Sequence, residues 1–161
     1  MQIDKAGFTL FELLIVMSIV SILATIALPS VHDRMIRVQV QEALKIAEMG
    51  QDAIEFYYKE RADFPKDNAE AGLPDAQKIM GNFLESLEVK QGALYLTLGK
   101  KVNANVQGKT LVLRPAIVAG EPRVPISWVC AYASVPKGMK VMGGEHIGTL
   151  ESRFLPVSCR F

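Results

Sequence analysis

The sequence contains little of what catalytic and metal sites require, with only two histidines and two cysteines among its 161 residues. No cysteine or carboxylate stands at metal-ligand spacing from His32 or His146. Ser127 and Ser134 lack the glycine elbow of a serine nucleophile, and no glycine-rich loop could cradle a phosphate. We therefore expect no catalytic activity, no metal site and no cofactor.

A charge imbalance is also missing. The chain carries 18 basic and 17 acidic residues, a net charge of +1, so it has no global attraction to nucleic acid. Lys100, Lys101 and Lys109 surround one short segment and could contact DNA phosphates, although a solvated hairpin turn explains them more simply. No internal repeat or low-complexity tract is visible. One modest core is the most that the chain can build outside its apolar segment.

What the sequence does have is a long apolar run, residues 8–28, which contains a single charge, Glu12. A membrane-spanning helix needs about 20 apolar residues, so the run is long enough to cross a bilayer. A carboxylate inside such a helix is costly. Glu12 could simply favour the helix macrodipole from the first turn, or it could await a cationic partner inside an assembly. Both interpretations stay open on physical grounds alone.

The residues that open this run resemble the processing site of type IV prepilins, and the match extends over residues 5–29. In that family a short hydrophilic leader ends in Gly, the mature chain begins with Phe, and its fifth residue is Glu. Gly7, Phe8 and Glu12 hold these positions, and Pro29 stands where the family has a proline. The resemblance, to type IVa pilins, implies that a prepilin peptidase cuts between Gly7 and Phe8. It also implies N-methylation of Phe8 and assembly through a helix that contains Glu12 and Pro29.

The same resemblance implies a leader, residues 1–7, that lies in the cytoplasm. The positive-inside rule alone favours the reverse orientation, because Lys5 is the only basic residue before the run while Arg34, Arg37 and Lys45 follow it. We give the resemblance precedence. It predicts a precursor held in the inner membrane and then an extracellular pilus of a Gram-negative bacterium.

Beyond Pro29 the pattern becomes amphipathic, which predicts that the same helix continues to about residue 60 with one buried face. Proline removes a backbone donor and should kink or loosen the helix where its two halves meet. The buried stripe is predicted at positions spaced by three and four residues: Ile36, Val40, Ala43, Ala47, Gly50, Ile54 and Tyr57.

The rest of the chain reads as loop and sheet. Glycine and proline punctuate residues 61–92, where a short helix from Asp75 to Leu87 is predicted. Residues 93–132 alternate with period two, most clearly at Leu94, Leu96 and Leu98, which predicts strands. The expected fold is therefore α+β, a long N-terminal helix packed on three to four antiparallel strands, which is also the pilin fold that the resemblance implies. The expected divisions are a leader (1–7), a membrane and filament-core helix (8–29) and a globular domain (30–161), itself divided into an amphipathic helix (30–60), an αβ-loop (61–92), a sheet (93–132) and a disulfide-bounded D-region (130–159).

Cys130 and Cys159 are the only cysteines. In a cytosolic protein they would more often be free buried thiols, whereas a bridge is expected in an oxidising compartment. The resemblance implies the bridge, because type IVa pilins typically close a variable D-region with a disulfide near the C-terminus. Trp128, the single tryptophan, is most simply a core residue, although an exposed aromatic in this region could contact a receptor.

Two functions follow from the resemblance and stay open. The first is a structural subunit of a type IV pilus that supports adhesion, twitching motility and DNA uptake, with copies of itself, the membrane, prepilin peptidase and the assembly platform as partners. Contacts of the filament with a host surface or DNA are weaker expectations. The second is a minor pilin or a type II secretion pseudopilin, acting as a membrane-tethered assembly or binding component. Glu12 and the cysteine pair favour the first, while Ser21 stands where many pilins have a Gly that lets the helix loosen.

Overall fold

The computed structural model describes residues 7–160, and the side chains of residues 27–30 lie outside that description, as does the predicted leader except for Gly7. A helix, α1 (Leu10–Arg61), comes first. Five strands follow: β1 (Leu84–Lys90), β2 (Ala93–Leu98), β3 (Thr110–Ile117), β4 (Ser127–Cys130) and β5 (Lys140–Val141). Short 3-10 turns occupy Ala76–Lys78, Ser152–Phe154 and Val157–Cys159.

The chain divides into two compact units, Met1–Arg34 and Met35–Phe161. In the first unit every side chain from Phe8 to Ile26 is exposed. The hydroxyl groups of Ser18, Ser21 and Thr25 donate to backbone carbonyls one turn earlier, at 2.7–2.8 Å. A helix that satisfies its own polar groups in this way is suited to an apolar environment. By length and composition α1 qualifies to cross a membrane, with a mean hydropathy of 2.5 in its most apolar window.

In the second unit α1 buries one stripe of side chains and ends at Arg61, after which Ala62 adopts a left-handed φ of 52° that stops the helix. The predicted stripe is confirmed from Ile36 to Ile54. It is wrong at its last position, because Tyr58 is buried and Tyr57 is only half-buried. A step of four residues from Ile54 keeps the side chain on the buried face, and the predicted step of three does not.

The sheet runs in the order β1-β2-β3-β4 with antiparallel pairing, and β5 pairs with the end of β3. The α+β fold with a long N-terminal helix is therefore confirmed. Leu94, Leu96 and Leu98 of β2 are fully buried and belong to the same apolar core as the helix stripe. Gly50 allows the close approach of the two layers, since an added Cβ would lie 2.8 Å from Leu94 Cδ2.

The predicted helix from Asp75 to Leu87 is wrong, because β1 occupies Leu84–Lys90 and only a 3-10 turn precedes it. Gln91 and Gly92 have φ of 51° and 82°, the left-handed pair that a two-residue hairpin requires, so β1 folds back directly onto β2. The sheet consequently begins at residue 84 instead of 93, and β5 carries it to residue 141, beyond the predicted limit of 132.

One side chain protects the free edge of β1. Asn68 is 8% exposed, and its Nδ2 donates to the carbonyls of Leu87 at 3.0 Å and Pro74 at 2.9 Å. Its Oδ1 accepts the backbone N–H of Val89 at 2.7 Å. The amide thus pairs with a sheet edge as a neighbouring strand would, and it fastens the 61–92 segment to the sheet.

We expect Asn68→Ala to lower the free energy of unfolding by about 2–3 kcal/mol, because the Val89 N–H and the Leu87 carbonyl lose a buried partner. The measurement is urea unfolding of the detergent-solubilised chain, followed by the fluorescence of Trp128. Asn105→Ala, in an exposed loop, is the matched control and should change stability little. Equal stability of both variants would show that the edge contact contributes nothing.

Candidate processing site, assembly site and disulfide-bounded region

The predicted cleavage site lies just before the helix. Residues 7–9 are not helical, and the Phe8 side chain is 81% exposed. Among the described residues, no atom beyond its chain neighbours lies within 4 Å of a Cβ built on Gly7. The Gly7–Phe8 bond is therefore on an open segment that a peptidase can bind without unwinding α1.

Glu12 caps the helix that it opens. Its Oε2 accepts the backbone N–H of Thr9 at 2.9 Å and the Thr9 hydroxyl at 2.8 Å, while the Thr9 hydroxyl accepts the Glu12 N–H at 3.2 Å. This reciprocal pair is a capping box, with Thr9 as N-cap and Glu12 three residues later. The Thr-x-x-Glu spacing in the sequence is the signal for it, and sequence reasoning did not use that signal.

The capping box leaves part of the Glu12 carboxylate available. Both contacts with Thr9 fall on Oε2, and Oε1 has no hydrogen-bond partner within residues 7–160. Glu12 can therefore serve its own helix and still offer one oxygen to a cation outside the chain. The two interpretations of Glu12 drawn from the sequence are compatible in this geometry.

Pro29 lies inside α1, and the helix continues past it without a break. Ser21 donates its hydroxyl to the Met17 carbonyl at 2.8 Å. The stretch from residue 21 to residue 29 is helical in this structure.

The predicted disulfide is confirmed. Cys130, the last residue of β4, is bonded to Cys159 in the final 3-10 turn, and their Cα atoms are 4.7 Å apart. Both residues are buried, at 6% and 2% exposure. The bridge therefore ties the end of the sheet to the C-terminal segment from inside the core.

A second set of contacts holds the C-terminal segment to the helix. The Arg153 carbonyl accepts hydrogen bonds from Arg37 Nε at 3.1 Å and Arg160 Nη2 at 2.9 Å. Phe154 and Leu155 beside it are buried. Residues 130–159 are thus anchored at their C-terminal end by packing, by the hydrogen bond from Arg37 of the helix and by the disulfide, while Arg160 makes its hydrogen bond within the C-terminal segment. The sequence carried no periodic signal for the arginines.

Trp128 takes a position between the two predicted alternatives. It is half-buried, and its Nε1 donates to Glu55 Oε1 at 3.0 Å, which links β4 to the helix. Lys100, Lys101 and Lys109 are exposed on the β2–β3 loop, in the predicted hairpin. Across residues 7–160 no group of three His, Cys, Asp or Glu side chains could hold a metal ion.

The geometry defines a class: an α+β protein whose N-terminal helix is long and apolar enough to cross a membrane and whose sheet is tied to its C-terminal segment by a disulfide. Comparison with known proteins gives the family. Residues 37–160 match the family described as Pilin (bacterial filament), and residues 4–28 match the prokaryotic N-terminal methylation motif.

Similarity to individual proteins extends over nearly the whole chain. The chain is 35% identical to the type IV major pilin protein PilE of Neisseria gonorrhoeae and 33% identical to the fimbrial protein of Neisseria meningitidis serogroup A, covering 97% of this chain and 94% of each relative. It is 34% identical to the fimbrial protein EcpC of Eikenella corrodens, over 99% of this chain and 92% of that protein. The chain belongs to the pilin family of bacterial filament subunits.

Processing gives the first prediction of this site. Mass spectrometry of the mature subunit should find an N-terminal methylated Phe8, because a cut after Gly7 removes the leader and spares the membrane helix. The uncleaved membrane precursor from cells that lack the peptidase is the reference. Filament-borne protein that still begins at Met1 would contradict the prediction.

The second prediction concerns the disulfide. Replacing both cysteines, as Cys130→Ser with Cys159→Ser, should lower the free energy of unfolding by about 3 kcal/mol, since the open chain gains conformational entropy. Urea unfolding of oxidised, reduced and double-serine protein gives the comparison, and the reduced and double-serine forms should agree. Alkylation of either cysteine in the folded, unreduced wild type would show that the bridge is absent in solution.

Proposed function

We propose that this chain is the main filament-forming subunit of a type IV pilus. The observation that carries the proposal is the first unit, where every described side chain from Phe8 to Ile26 is exposed although most of them are apolar. The core cluster of the second unit is built from residues 36–159, all of that unit. Lipid before assembly and copies of the same helix after it supply the missing cover. The relatives named as major pilins support the choice of a main subunit.

The register of assembly is proposed to depend on Glu12. In a filament core packed from apolar helices, burying an unpaired carboxylate would cost free energy. A cation within hydrogen-bonding distance would remove that cost only when neighbouring helices are aligned in one register, and so would select that register. The amine of Phe8 on a neighbouring subunit is that cation, and Glu12 Oε1 is the oxygen open to it. The amine exists only after cleavage, because in an uncut chain the terminal amine belongs to Met1. The leader therefore prevents assembly until it is removed.

The filament is proposed to support adhesion, twitching motility and DNA uptake, with the disulfide-bounded region of residues 130–159 facing outward. The subunit would pass from the inner membrane of a Gram-negative bacterium through prepilin peptidase and an assembly platform. Pro29 would adjust the helix within the filament. The alternative, a minor pilin or a secretion pseudopilin, is separated from this proposal by abundance: the main subunit makes up most of the protein in sheared filaments.

Assembly gives the third prediction. Glu12→Ala should leave membrane insertion and domain folding intact and reduce filament yield at least tenfold, because loss of a charge-assisted pair of about 1.5–3 kcal/mol is repeated at every subunit. The measurement is filament yield divided by the membrane pool, with oxidation of Cys130 and Cys159 as the check of folding. Wild-type yield for Glu12→Ala would leave Glu12 without a role in assembly.

Two further variants separate the assembly role of Glu12 from its capping role. Thr9→Val keeps the shape of the side chain and removes the hydroxyl of the capping box, so it should lower filament yield far less than Glu12→Ala. Ile15→Val removes one methylene from the same exposed helix and should be nearly silent. An equal loss of filaments in Thr9→Val and Glu12→Ala would assign the effect to the capping box alone.

A further inference from the structure

The loop between β2 and β3, residues 99–109, is named here the lysine loop. Its lysines, Lys100, Lys101 and Lys109, are exposed, and none of the ion pairs found among residues 7–160 includes them, whereas three lysines elsewhere are paired. The sequence has no acidic residue between Glu88 and Glu121. Glu85 is the one carboxylate in the shallow cleft beside Lys100 and Lys101. The loop therefore presents positive charge that its own domain does not neutralise.

The backbone that carries these lysines is fixed. Val102 and Val106 are 6% and 0% exposed and belong to the core. The Val106 N–H donates to the Asn103 carbonyl at 3.0 Å, and the Gly108 N–H donates to the Leu98 carbonyl at 2.9 Å. The buried side chains of Val102 and Val106 and the two backbone hydrogen bonds fix the backbone that carries the three lysines. A preorganised backbone of this kind reduces the entropy lost on binding.

The lysine loop lies at the end of the folded unit that contains the unit's first residues, which follow the apolar run in the chain. The Asn103 N–H donates to Gln39 Oε1 at 3.1 Å, and Gln39 is close to Met35, the first residue of that unit. About ten residues separate Gln39 from the end of the apolar run, and even a fully extended chain of that length reaches only about 35 Å. When the apolar run is inserted in a bilayer, chain length alone therefore limits Gln39 to within about 35 Å of the bilayer surface.

The C-terminal turn adds positive charge at the same end. The carbonyl of Arg153 is bonded to Arg37, two residues before Gln39, and to Arg160. Thr149, three residues before the turn, is bonded to Thr110 directly after the lysine loop. Glu151 pairs with Arg153 at 3.0 Å and offsets one of these charges.

We propose that the lysine loop binds the anionic phospholipid headgroups of the membrane that holds the precursor, and so keeps the folded domain at the membrane surface until the subunit is withdrawn. Lysines near an anionic leaflet are attracted over about a Debye length. Duplex DNA offers similar phosphates, but the membrane helix tethers the loop to headgroups at high local concentration and provides no such tether to DNA. Three lysines give a contact weak enough to be released at assembly. The proposal rests on the membrane-anchored precursor alone and needs no filament.

The test is acetylation of lysines in the full-length protein, reconstituted in phosphatidylcholine vesicles with or without about one-third phosphatidylglycerol. Anionic lipid should slow acetylation of the lysine loop on the order of threefold, and about 0.5 M salt should restore it. Lys66 and Lys137, exposed outside the lysine loop, are internal controls. Equal rates in both vesicles would overturn the proposal, as would slowing by duplex DNA but not by anionic lipid, which would assign the loop to nucleic acid.

Energy transfer from Trp128, the single tryptophan, to a dansyl-labelled headgroup gives a second readout that needs no lysine chemistry. Anionic lipid should raise the transfer in the wild type but not in the variant Lys100→Gln, Lys101→Gln, Lys109→Gln. Lys66→Gln, Lys137→Gln, Lys140→Gln removes the same charge at exposed positions outside the lysine loop and should behave as wild type. An equal loss of energy transfer in both variants would show that the effect depends on net charge alone, which would contradict a specific site. Filament yield does not enter either measurement, so failure here leaves the proposed pilus function intact.

Discussion

Helix α1 is 52 residues long, and every side chain described in its first part, as far as Ile26, is exposed. Thirteen large apolar side chains between Phe8 and Ile26 are at least 45% exposed. Each gains about 1.5–3 kcal/mol on full burial. Their sum exceeds the 5–15 kcal/mol that stabilises a typical folded domain. The need to cover this surface therefore governs where the subunit can reside: it favours an apolar environment, such as lipid or a bundle of apolar helices.

The polar side chains between Phe8 and Ile26 are arranged so that a largely apolar environment is acceptable. The hydroxyls of Ser18, Ser21 and Thr25 are satisfied by the helix itself, and Glu12 is held by Thr9. A group that is satisfied within its own helix loses little when water is replaced by hydrocarbon. The remaining oxygen of Glu12 is the exception in this stretch, because both contacts with Thr9 fall on Oε2.

Sequence reasoning succeeded where a single strong pattern decides the structure. The three-and-four spacing from Ile36 to Ile54 and the alternation in β2 depend on burial against one partner, and both were confirmed. It failed at β1, because Ile79, Phe83 and Leu87 happen to be spaced by four while the hairpin is set by Gln91 and Gly92. A Gln-Gly turn is a weaker signal than Asn-Gly, and the edge contact of Asn68 arises only from tertiary structure.

The charge pattern around the apolar run shows why a rule that counts residues can fail. Arg34, Arg37 and Lys45 follow the run and favour the wrong orientation if every basic residue is counted alike. Arg37, however, donates a hydrogen bond to the Arg153 carbonyl and helps to hold the C-terminal segment in the folded domain. It therefore has a structural role in that domain, independent of membrane orientation. The contact exists only once the domain is folded, and the disulfide requires an oxidising compartment. Basic residues used by the folded domain must therefore be discounted before orientation is inferred from a count of charges.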